Sequence, residues 1–95
     1  MTSDELEVIL KHAGTKNDKE GFAATPEGVT LTFHTAHNGG ALAVPRVDGV
    51  KITGEVVIAR TTKREATYAF IRSDLFAIAI DGGQSVTPRR AGFGV

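Results

Sequence analysis

The chain has no cysteine and no tryptophan, only three prolines and one methionine, and aromatic side chains make up 6% of its 95 residues. Without cysteine there is no disulfide framework, no thiolate nucleophile and no Cys-based zinc or iron–sulfur site. A small disulfide-free chain fits a reducing cytoplasm, and a cytoplasmic location is expected. No run approaches the ~20 consecutive apolar residues that span a bilayer. The opening Met1-Thr2-Ser3-Asp4-Glu5 is acidic and lacks an apolar h-region, so no signal peptide is expected. Neither sign of charge is in excess: 11 Lys and Arg meet 11 Asp and Glu. That balance argues against strong non-specific binding to nucleic acid or to an anionic membrane surface.

What is present suffices for one domain with one core. Hydrophobic residues make up 41% of the chain and charged residues 23%, both near the globular norm. A chain of this length buries roughly 60–65% of its unfolded surface, so modest stability is expected unless it self-associates. The neutral total conceals a polarity. Up to Gly28, Asp4, Glu5, Glu7, Asp18, Glu20 and Glu27 outnumber Lys11, Lys16 and Lys19. Beyond Gly28 the basic residues outnumber the acids by the same margin. Internal complementarity accounts for this; a weakly positive β region offered to an anionic partner is the sharper alternative.

The N-terminus reads as a helix over about residues 3–13. Thr2 and Glu5 have capping-box spacing, Leu6, Ile9, Leu10 and Ala13 form one apolar stripe, and Gly14 stands where a helix ends. A helix of about ten residues is marginal alone and must dock. The β region is expected over about 22–81. Phe22–Ala24 reads as a short edge segment. From Val29 the period becomes two, with Val29, Leu31 and Phe33 on one side and Thr30, Thr32 and His34 on the other. His37-Asn38-Gly39-Gly40 predicts a turn, Ala41–Val44 a strand ended by Pro45, and Asp48-Gly49 a second turn. Val50–Arg60 reads as one strand, with Gly54 marking a bulge or a close backbone approach. Thr67–Arg72 and Leu75–Ile80 read as a hairpin about Ser73-Asp74. The tail over about 82–95 has no periodicity and is expected to fray.

Residues 66–79 admit a second reading. Tyr68, Ile71, Leu75 and Ile78 would share a helical face behind a Thr62/Glu65 capping box. The Phe76/Ile78/Ile80 alternation and the β-branched content favour strand. As strands, these segments carry two apolar faces. Ile52, Val56, Ile58, Tyr68, Phe70, Phe76, Ile78 and Ile80 line one; Val57, Ala59, Ala69, Ile71, Leu75, Ala77 and Ala79 line the other. One short helix cannot cover both sides of such a sheet. Either the sheet closes into a small barrel or sandwich, or the Ala-rich face meets another subunit, or the region is the buried helix.

No catalytic or cofactor motif stands out. His34 and His37 lie three apart, which in a strand points them to opposite faces, and no acid within the segment completes a metal site. His12 reads as a surface residue. Asn38-Gly39-Gly40 and Asp81-Gly82-Gly83 lack the lysine and the strand–helix setting of a phosphate loop. Two basic pairs, Arg60 with Arg64 and Arg89 with Arg90, are candidate anion-binding residues; in the tail, Phe93 follows the second pair.

The expected fold is therefore α+β: a short N-terminal helix on a five- to six-stranded, mainly antiparallel sheet or partly closed small barrel. The expected function is a non-enzymatic interaction or self-assembly module acting through an apolar sheet face. Its candidate interface residues are Ala59, Ala69, Ile71, Ala77 and Ala79. A small anion- or nucleotide-binding module using the four arginines is the alternative. No cofactor and no metal are expected. The expected partner is a protein or a second copy of the chain.

Overall fold

The computed structural model describes residues 1–82, without the side chain of Arg64. The expected tail and the candidate residues Arg89 and Arg90 lie outside the described residues. One helix, α1 (Ser3–His12), precedes seven strands: β1 (Lys16–Asn17), β2 (Ala23–Ala24), β3 (Val29–His37), β4 (Gly40–Thr53), β5 (Val56–Thr61), β6 (Thr67–Ile71) and β7 (Leu75–Gly82). Every strand pair is antiparallel. The sheet curls into a half-barrel with α1 against its core side, an α+β fold.

α1 forms for the local reasons its sequence supplies. Thr2 Oγ1 accepts from the Glu5 N–H at 3.1 Å, and Glu5 Oε1 accepts from the Thr2 N–H at 2.9 Å, a complete capping box. At the other end Gly14 takes φ +83°, and the Thr15 N–H reaches back to the Leu10 carbonyl. Together these form a Schellman closure, which only a residue free of Cβ strain adopts cheaply. Leu6 and Leu10 are the buried face. They meet Leu31 and Phe33 of β3, Val44, Val47 and Val50 of β4, Val57 and Ala59 of β5, and Leu75 of β7.

The curl depends on β4. Its first half pairs with β3, from Gly40 opposite His37 to Val47 opposite Leu31. Its second half pairs with β5, from Val47 opposite Thr61 to Thr53 opposite Val56. Two irregularities bend the strand between these duties. Pro45 and Arg46 together oppose Thr32, with Arg46 at φ +58°. On the other edge the register slips between Val47 and Gly49. Bulges bend a strand and increase its twist, and proline is tolerated there because a ladder bond is already lost. One strand thus serves two arms: β3 and β7 on one side, β5 and β6 on the other.

Four expectations are corrected. Pro45 does not end the strand begun at Ala41, and Asp48-Gly49 is a bulge rather than a turn. The turn lies at Gly54-Glu55, where Gly54 (φ +59°) divides the expected Val50–Arg60 strand into a hairpin. Finally, β6 and β7 are strands but not a hairpin: β6 pairs with β5, and β7 with β3. The 3-10 turn Arg72–Asp74 between them is a corner joining the two arms. It is anchored from the N-terminus, because the Met1 amine donates to the carbonyls of Arg72 and Leu75.

The two expected faces also mix. Ile52 opposes Val57, and Val57 opposes Phe70, so these three share the core side. The parity of a strand against the core is set by the length of the turn before it. The unrecognised turn at Gly54-Glu55 therefore exchanged the faces of β5, bringing Val57 and Ala59 to the core, while Phe70 and Ile78 stayed on the side of Ile52.

Candidate functional site

Arg60 is the most constrained charge in the structure. Its side chain is only 12% exposed and lies on β5 directly across from Gly49. Nη1 donates to Asp18 Oδ2 at 3.0 Å and to Glu20 Oε1 at 3.3 Å, and Nε donates to Asp48 Oδ1 at 3.2 Å. The guanidinium also covers the Phe22 ring, 4.8 Å from its centre, and Lys51 approaches that ring at 5.8 Å. Asp18 is oriented by its own loop, with Oδ1 accepting the backbone N–H groups of Glu20 and Phe22 at 2.9 Å. Burial works against the charge on Arg60, but the hydrogen bonds and charges of Asp18 and Asp48 outweigh it and raise its pKa above the ordinary value. Desolvation pushes Asp18 upward. The N–H of Phe22, the Arg60 guanidinium and the N–H of Glu20 outweigh that, leaving the carboxyl below its ordinary 3.8.

This arrangement is a staple and not a receptor. Three carboxylates and one ring occupy the guanidinium, which ties the 18–22 loop to β4 and β5. Arg60 therefore has no fork to offer an incoming phosphate, and the candidate anion site loses its central member. Arg64 contributes only its backbone to the described structure, and Arg89 and Arg90 lie outside it.

Gly49 makes the staple possible. A Cβ at position 49 would stand 2.5 Å from Arg60 Nη2 and 2.8 Å from Cζ. Gly49→Ala is expected to displace the guanidinium and cost about 1–3 kcal/mol, the scale of local overpacking. In an Arg60→Met background the same change should cost much less, because the clash has gone. Urea midpoints of the four chains measure this, and additive losses would contradict the close approach.

The histidines do not converge on a metal. His34 lies on the outer side of β3, 6.1 Å from the Phe76 ring centre, while His37 Nδ1 meets Asp74 Oδ1 at 3.0 Å. Among the described residues no group of three or more His, Asp or Glu is placed to hold an ion.

Arg72 is a clamp that the sequence did not reveal. Its Nε donates to the Met1 carbonyl at 3.2 Å, Nη1 donates to the Gly54 carbonyl, and Nη2 stands 3.4 Å from Glu55. No local pattern announces it, nor the Asp18–Phe22 loop beneath Arg60, because the partners are far away in sequence.

Of the candidate interface residues, Ala59 is fully buried on the core side. The other four lie on the two edge strands. Ala69 and Ile71 of β6 face outward, opposite Ile58 and Val56. Ala77 and Ala79 of β7 face outward, opposite His34 and Thr32. Among the described residues β6 pairs only with β5 and β7 only with β3. Both strands therefore turn one backbone edge to the open seam of the half-barrel. From Leu75 to Ile80, β7 carries no charge and no proline.

Beside this seam, α1 and β7 leave a groove of about 660 Å³ lined by Met1, Glu5, Val8, Ile9, Leu75 and Phe76. Val8 is 68% and Phe76 61% exposed. The seam thus combines apolar side chains with backbone edges that no other described strand pairs, the two ingredients of strand addition.

No protein-family model, no curated protein and no solved structure matches the chain. Among the described residues no helix is long and apolar enough to cross a membrane.

Proposed function

We propose that the chain is a non-enzymatic interaction module that binds protein through the outer edges of β6 and β7, the two strands that end the described sheet. The carrying observation is the seam: two strands that end the described sheet, with outward-facing Ala69, Ile71, Ala77 and Ala79, and among the described residues none of the usual edge protection along Ala77–Ile80. Natural sheets blunt such edges with charge, proline, bulges or a covering element. Here the bulge at Phe76 and the charge at Asp81 stand only at the ends of that stretch. An edge without charge favours an equally neutral strand, and a second copy supplies one. The absence of cysteine supports a cytoplasmic setting.

Sedimentation velocity over a wide concentration series tests this reading. The chain is expected to shift from monomer to a larger species as concentration rises. Whichever of Ile71→Lys on β6 and Ala79→Lys on β7 falls at the contact should abolish the shift, since each places a charge on an outer face beside an edge. A monomer at every concentration, unchanged by either substitution, would remove the self-association reading.

A further inference from the structure

We infer that the partner is β7 of a second copy, paired antiparallel about a twofold axis through Ile78. This rests on the edge reading above and adds the strand, the partner and the register.

Geometry restricts the choice. A twofold axis normal to the sheet keeps outer faces outward, and residues directly opposite in an antiparallel pair share a face. Ala77 and Ala79 point outward and Ile78 inward. Ala77 must therefore oppose Ala77, Ala79 or Asp81 of the partner, corresponding to axes at Ala77, Ile78 or Ala79.

An axis at Ala77 brings the β7 bulge almost onto the symmetry centre. There Phe76 and Ala77 lie next to each other and Leu75 opposes Thr35. An axis at Ala79 draws the Asp81 carboxylates toward the middle, opposite Ala77 of the partner. The Ile78 axis avoids both. It sets Ala77 against the partner's Ala79, two small side chains that let the outer faces stay flat. It sets Ile78 against itself on the core side, where it already packs against the buried cluster. Each Asp81 then lies beyond the paired stretch, at the far end from the partner's Asp81. The Leu75 carbonyl is already bonded to the Met1 amine, so the pairing runs over the edge from Phe76 to Ile80. That contact is smaller than a standard interface of roughly 1,600 Å², and the dimer is expected only at high protein concentration.

The cysteine-free sequence makes the test clean. Equal amounts of Ala77→Cys and Ala79→Cys chains are mixed at high concentration and oxidised. Directly opposite residues come within disulfide reach, whereas residues two positions out of register lie beyond it. The mixed disulfide is expected to form about tenfold faster than either homodimer, following that distance limit. In the unmodified chain, amide exchange from Ala77 to Ile80 should slow as concentration rises. Equal rates for the three disulfides overturn the register. Protection of β7 that is independent of concentration overturns the second copy and places residues 83–95 on the edge instead. If association survives Ala79→Lys but not Ile71→Lys, β6 is the contact: this inference fails while the wider reading stands. Absence of any association removes both.

Discussion

Phe33→Ala is expected to cost about 3–5 kcal/mol, the usual loss for emptying a buried aromatic position. Phe33 is fully buried and meets the Phe70 ring edge-on, with centroids 5.6 Å apart and planes at 64°. The two rings belong to different arms of the half-barrel, since β3 and β6 share no ladder. The pair packs the two arms together across the core, where no described strand ladder joins β3 to β6. A chain this short has about 5–10 kcal/mol in total, so a large part of it would go. Phe33→Leu keeps much of the volume and should cost only about 1–2 kcal/mol. Urea unfolding followed by circular dichroism measures both. The Phe33→Ala/Phe70→Ala double variant should lose less than the two single losses combined, by about 0.5–1.5 kcal/mol, the size of an aromatic pair beyond its area. A loss under about 1 kcal/mol for Phe33→Ala would contradict this core.

Arg60→Met is expected to cost about 2–3 kcal/mol and to remove an acid-sensitive part of the stability. Breaking a fully buried ion pair costs about 3–5 kcal/mol, because the remaining charge is stranded. Here Asp18, Asp48 and Glu20 are 25%, 31% and 50% exposed, so water recovers part of the loss. The cation–π contact on Phe22 is lost as well. The pH dependence has a definite sign. Asp18 titrates below its ordinary 3.8 in the folded state. Its contribution is fully present above the unfolded value and disappears as pH falls through the folded one. Melting temperatures from pH 7 down to about pH 2 should therefore fall more steeply below about pH 4 in the parent chain than in Arg60→Met. Parallel curves would show that the staple carries no proton linkage.

The elements with strictly local causes were legible in the sequence. The Thr2/Glu5 box, the Leu6/Leu10 stripe and Gly14 describe α1 completely. The strict alternation from Val29 to Phe33 announced β3, and Asn38-Gly39, with Asn38 at φ +51°, announced its turn. The strand reading of residues 67–71 and 75–80 also agrees with the structure, because alternation and β-branching outweighed a helical face. Signals with two meanings failed. Asp48-Gly49 is as good a turn dipeptide as Gly54-Glu55, yet its glycine is needed for a guanidinium lying on it. That guanidinium arrives from a different strand, so no window of sequence contains the cause. Arg60 looked like an available cation for the same reason: its three carboxylates stand at positions 18, 20 and 48.

The candidate interface shows the boundary most clearly. Composition determined that the last strands would carry apolar groups on two faces, with too little helix to cover them. Alternation then supplied, within each strand, which residues move together. Which set faces the core was decided by the tertiary structure, through the two-residue turn at Gly54 and the corner at Arg72–Asp74. A side-chain period of two has no memory across a turn, so each connection resets the parity. The same structure moved Ala59 into the core and left Ala69, Ile71, Ala77 and Ala79 on the two strands that end the described sheet. An edge is a property of strand order, and strand order arises from contacts between residues far apart in the chain.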